Sequence, residues 1–166
     1  MRYVEPLVKE LALESASTRK MLERVPEEHF AWKPHPKSMS LCQLASHVAE
    51  NLAWMSRILE ADEFVMNPGE YKPWMARSQS ELLKRFDENL KAATRILDSQ
   101  SNEDVMKPWR FKVGDSVLFE MPKVAVIRMM VFNHSIHHRG QLSVYLRLKD
   151  VPLPPVYGPT ADEQAM

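Results

Sequence analysis

The sequence predicts an all-α fold, a four-helix bundle with long crossover connections. Three observations carry that expectation. Four stretches of roughly 20 residues repeat their apolar side chains at helical spacings of three and four. Two of the four open on a Ser-x-x-Gln or Ser-x-x-Glu box, which satisfies free backbone donors at a helix start. Most of the 12 prolines and 4 glycines fall between the stretches rather than inside them. The 166 residues suffice for one domain, 1–166, with a real core.

The first helix is expected from about Arg2 to Val25, with Val4, Leu7, Val8, Leu11, Thr18, Met21, Leu22 and Val25 inward and Pro26 beyond its end. Pro34 and Pro36 keep the following stretch out of helix. The second helix starts at the Ser40/Gln43 box and turns Leu41, Leu44, Ala45, Val48, Leu52, Met55 and Leu59 inward. The segment 62–77 carries Pro68, Gly69 and Pro73 and reads as a long connection. Ser78 and Glu81 form the second box. The third helix then runs to about Ser99 on Leu82, Phe86, Leu90, Ala93 and Leu97. Residues 101–120 are polar and mixed, read as a loop with a short hairpin around Gly114-Asp115. Pro122 suits a first helical turn. The fourth helix continues to about Leu148 on an inward line of Val124, Ile127, Val131, His134, His138, Leu142 and Tyr145. The tail from Val151 to Pro155 is too rich in proline for helix.

Composition excludes several function classes. With 22 basic and 22 acidic residues the formal charge is zero, without the basic excess of a nucleic-acid binder. No apolar run approaches the roughly 18 residues that span a bilayer, and the N-terminus lacks a signal peptide's apolar stretch. One cysteine, Cys42, forbids an intrachain disulfide and makes the cytoplasm the expected compartment.

The chemistry is concentrated in Asn133-His134-Ser135-Ile136-His137-His138-Arg139-Gly140-Gln141. His134 and His138 are four apart, so their rings stack on one helix face. They continue the apolar line, and a buried imidazole needs a partner. A metal accepts both lone pairs. His47 on the second helix supplies a third imidazole if the two helices are neighbours. Three protein ligands with one open position is the arrangement of a catalytic metal site. A bland alternative stands beside this one, because histidine pairs at this spacing are common on helix surfaces. His137 is an alternative ligand, but it lies about 100° round the helix from His138.

The run His134-Ser135-Ile136-His137-His138-Arg139-Gly140-Gln141-Leu142 resembles the H-x-x-x-H-R-G-Q motif of the DinB/YfiT-like family of predicted metalloenzymes. Leu44-Ala45-Ser46-His47-Val48 resembles that family's earlier histidine context, and Trp32-Lys33-Pro34 with Ser38 and Ser40 resembles its lead-in. The resemblance implies a DinB-like four-helix bundle with a crossover. It implies a divalent metal, zinc or nickel, on His47, His134 and His138, and a homodimer. It further implies a small-molecule thiol or electrophile substrate, as in low-molecular-weight thiol S-transferases, with no nucleic-acid or membrane partner. The alternative is a non-catalytic metal or small-ligand binding protein, for instance in a stress response, with a structural metal.

Other residues carry weaker expectations. Glu50, three after His47, is a candidate general base or fourth ligand, or else a solvated helix residue. Gln141, three after His138, is a candidate for orienting a ligand or substrate. Arg139 is expected in a structural ion pair, with anionic-substrate binding as the alternative. Gly140 suggests a close approach of a neighbouring backbone. Cys42 reads as a small core residue. Trp32, Trp54, Trp74 and Trp109 line either a substrate pocket or packed core edges and dimer faces.

Overall fold

The structure, a computed structural model, describes residues 2–67, 69 and 72–164. Helix α1 spans Val4–Leu22 and buries Val4, Leu11, Ser15, Thr18, Met21 and Leu22. Helix α2, Leu41–Glu50, continues through a 3₁₀ turn, Asn51–Ala53, into α3, Trp54–Glu60. Helix α4 is Gln79–Asp98. The last segment joins α6, Lys123–Ile127, a π turn, Arg128–Asn133, and α7, His134–Arg147. A short α5, Asn102–Met106, precedes the hairpin described below. The expected helix boundaries therefore hold to within a few residues.

The caps explain where the helices begin. Ser40 and Gln43 form the full reciprocal box, with Gln43 N donating to Ser40 Oγ at 3.2 Å and Ser40 N to Gln43 Oε1 at 2.8 Å. At Ser78 only half of the box closes. Glu81 N donates to Ser78 Oγ, while Glu81 Oε2 accepts from Arg77 N at 2.6 Å. Ser101 and Asp104 make a further box, at the start of α5.

The all-α expectation is corrected: the protein is mostly helical but carries a three-stranded sheet. Strand β1, Glu63–Met66, lies inside the stretch read as a connection, whose Pro68 falls outside the described residues. Strands β2, Pro108–Val113, and β3, Ser116–Pro122, form the hairpin around Gly114-Asp115. Gly114 sits at φ 54°, in the left-handed region that glycine enters freely. β1 pairs parallel with β2 and β2 antiparallel with β3, with an irregularity between Phe111 and Lys112. The physical cause is alternation. Trp109 and Phe111 are buried, whereas Pro108 and Arg110 between and beside them are exposed. Phe111 and Phe119 stack at 5.6 Å, and Phe64 meets Trp54 of α3 at 4.9 Å. On the polar side Arg110 reaches Glu63 at 3.4 Å and Glu120 at 3.8 Å.

Helix α1 packs on α4 and α7, and α2 packs on the same two. The first two helical segments therefore sit diagonally, and the long link after α1 crosses the bundle. Buried residues of all four segments form one hydrophobic cluster, from Val4 to Leu146. Gly140 does not serve a close approach: a Cβ there meets nothing within 4 Å. Gly140→Ala should accordingly raise stability by up to about 1 kcal/mol, because alanine restricts the unfolded chain and favours helix; a urea titration beside the parent checks this, and a loss of stability would contradict it.

Candidate metal centre

Helices α2 and α7 lie side by side and bring His47, His134 and His138 together. One ring nitrogen from each lies within 4.8 Å of the other two. His47 Nε2 and His134 Nε2 are 2.7 Å apart, and the ring centroids are separated by 5.0 Å (His47–His134), 4.5 Å (His47–His138) and 4.4 Å (His134–His138). All three rings are half-buried.

The donor chemistry fits a divalent cation. Two neutral imidazoles facing through Nε2 share at most one proton, and the third ring finds no place in that bond. Gln141 Oε1, a carbonyl oxygen that can only accept, lies 2.7 Å from His138 Nδ1. The Nδ1 therefore carries the proton, and Nε2 of His138 presents its lone pair to the other rings.

Electrostatics keeps the rings neutral. Burial pushes the His134 pKa down from 6.5 to about 4, aided by repulsion from His138, His47 and His137. Burial, then His138, lowers His47. Burial also lowers His138, against its bond to Gln141 and with help from His137. The unfolded chain protonates its histidines near 6.5 and the folded one only at lower pH, so the unfolded state binds more protons in between. The metal-free protein should keep its full stability above about pH 6.5 and lose it progressively as the pH falls towards about 4. Urea midpoints at pH 7.5 and pH 5 test this. Loss of the difference in a His134→Ala variant would tie it to the cluster, while equal midpoints in the parent would refute the depressed values.

A cleft of about 200 Å³ opens beside His47, lined by Met39, Gln43, Glu50, Pro73, Trp74 and Met75. Glu50 thus faces the same cavity as His47 but is not among the converging donors. Of the four tryptophans only Trp74 lines this cleft. Trp54 lines a smaller recess with His47, Glu50 and Arg57, Trp32 packs on Tyr145 at 5.7 Å, and Trp109 is wholly buried. His137 is exposed, its ring 4.9 Å from that of His138. Cys42 is buried, its thiol 3.3 Å from the Ala76 carbonyl oxygen.

Arg139 is buried and structural. Its Nη2 meets Glu14 Oε2 and Tyr157 Oη, each at 2.7 Å, and its Nη1 donates to the Glu14 carbonyl and Thr18 Oγ1. Asn51 and the cleft wall at Met39, Pro73 and Met75 join the site without having stood out in the sequence. Asn51 falls on the apolar face four residues after His47, and a polar residue on that line was the available signal.

Fold and site together define the class: a mostly helical protein with a small three-stranded sheet and three histidines of two helices gathered at one point, a grouping compatible with a divalent metal. The chain belongs to the DinB family, whose model it matches over residues 2–165. It is 22% identical over 162 residues to the uncharacterized protein YrdA of Bacillus subtilis (strain 168), covering 98% of this chain and 92% of that one. With the uncharacterized YjoA of the same organism it shares 23% over 134 residues, 78% of this chain and 80% of YjoA. The crystal structure of YjoA, a DinB-like protein, superposes with a TM-score of 0.71 at 18% identity, over 98% of this chain and 100% of that one. A DinB-like protein from Bacillus cereus ATCC 10987 gives 0.70 at 23% identity, over 92% and 97%. These likenesses establish the fold. None of the described helices is long and apolar enough to cross a membrane.

Proposed function

We propose that this protein is a metal-dependent enzyme in which His47, His134 and His138 hold one divalent ion, zinc or nickel. The observation that carries the reading is the convergence of three neutral imidazoles, one of which, His47, lines an open cleft. When bound, such an ion acts as a Lewis acid and makes a thiol or water acidic enough to react near neutral pH. The chain's own residues prepare that chemistry. Gln141 fixes the tautomer and direction of His138. Burial keeps all three rings in the unprotonated form that ligation requires. The largely apolar wall of Met39, Pro73, Trp74 and Met75 lines the cleft beside His47, and Glu50 is a carboxylate on the same cleft available as a general base.

The proposed reaction class is transfer of a small thiol to an electrophile, or hydrolysis, in a cytoplasmic homodimer. The family likeness supports the thiol; the cleft supports a small-molecule substrate. A site that serves only structure would be closed, whereas this one borders a cavity. The test is metal-dependent turnover. Metal-free and zinc- or nickel-loaded protein would be assayed with a panel of small thiols and a chromogenic electrophile, and with ester and amide substrates. Turnover that appears on loading and disappears on chelation supports the reading. A loaded protein inert across both panels would leave metal binding without catalysis.

A further inference from the structure

An uninterrupted α-helix through Ile127 and Val131 would next turn His134 and His138 to the core. The burial pattern departs from that line. Downstream of the π turn the buried positions are Arg139, Leu142 and Leu146, with Ser135 half-buried ahead of them. The core line has slipped by one residue, and His134 and His138 stand half-buried at its edge. A π turn takes up one residue more than an α turn, which rotates everything after it by about 100°. The turn at Arg128–Asn133 ends immediately before His134.

One side chain clamps this turn. Asn51, which is 3% exposed, donates Nδ2 to the Val131 carbonyl at 3.0 Å and to Ser135 Oγ at 2.7 Å. The Val131 carbonyl also accepts the backbone N–H of His134. Asn51 in turn donates its own backbone N–H to the carbonyl of His47. One residue therefore joins the backbone of His47, through its own N–H, to the carbonyl that holds His134 and to the hydroxyl beside it, through its side-chain amide. We infer that Asn51 is a positioning residue: it holds the π turn in the phase that aims His134 and His138 at His47. The metal-affinity part of this inference rests on the three-histidine metal reading, while the ring geometry does not.

The experiment compares parent, Asn51→Ala, the milder Ser135→Ala, and Asn89→Ala as control. Asn89 donates a comparable bond to the Ala49 carbonyl of the same helix, away from the π turn. In metal-free protein, nuclear Overhauser contacts between the His47 and His134 ring protons report the phase directly. They should be lost in Asn51→Ala, weakened in Ser135→Ala, and kept in the control even where melting temperatures fall equally. Cobalt titration should then show affinity about 10–100-fold weaker in Asn51→Ala, with an altered visible spectrum. Ring contacts, affinity and spectrum matching the parent in folded Asn51→Ala and Ser135→Ala overturn the inference. Should Asn51→Ala not fold, Ser135→Ala decides alone. A parent that takes up no cobalt refutes the metal reading, and the ring contacts still decide the role of Asn51.

Discussion

His134→Ala, and equally His138→Ala or His47→Ala, should carry substantially less than one equivalent of divalent metal under conditions where the parent carries about one. Each ring supplies one of three donors converging within 4.8 Å. A structural zinc site contributes on the order of 10–16 kcal/mol in total. Shared over the four ligands of such a site, one ligand's part is about 2.5–4 kcal/mol, an affinity loss of about 10²–10³-fold. Elemental mass spectrometry on untagged protein reads the stoichiometry. Melting curves with and without zinc read the linkage, because a ligand at a hundredfold excess over its Kd adds about 2.7 kcal/mol to the parent. The variants should show little of that gain. His137→Ala should bind like the parent, since that ring is exposed and outside the donor group. Full metal content in the His134 and His138 variants would remove the proposed centre.

The second large effect concerns stability. Arg139→Ala should cost about 3–5 kcal/mol, because it leaves the Glu14 carboxylate, only 16% exposed, without its cation. It also strips donors from the Glu14 carbonyl and Thr18 Oγ1 and frees Tyr157, which fastens the tail to α1. For a chain of this length that amounts to a melting temperature lower by roughly 10 °C. Removing both charges in Glu14→Leu with Arg139→Met should recover most of the loss, since burying two charges costs more than burying two apolar chains of similar size. Equal destabilisation in the single and double variants would show that the ion pair is not the cause. Arg139 sits one residue after His138, so part of the H-x-x-x-H-R-G-Q run serves the fold rather than the chemistry.

Much of the architecture could be read along the chain, because its causes are local. Helical spacing of Leu41, Leu44, Val48 and Leu52, and the caps at Ser40 and Ser78, act over three or four residues and survive into the structure. The stacking of His134 and His138 is likewise a property of one helix, and the motif around them was enough to indicate the DinB family. The hairpin at Gly114-Asp115 was visible in its turn residues. Its partner strand was not. Glu63 pairs with Arg110 across 47 positions, and a four-residue strand carries too little alternation to announce itself.

Tertiary structure alone decided the rest. That His47 meets the other two rings depends on α2 lying beside α7, which the chain achieves by crossing the bundle after α1. That the His134 and His138 rings stand at the edge of the core follows from the π turn just before them, whose Val131 carbonyl accepts a hydrogen bond from Asn51 of another segment. The sequence by itself determined where the long helices run, which face of the first three helical segments is apolar and which side chains are able to ligate. Rotation of one helix against another, and the distances between rings 87 positions apart, were left to packing. The reason is physical: propensity, capping and periodicity are short-range, whereas helix phase and ring-to-ring geometry minimise the free energy of the whole core at once.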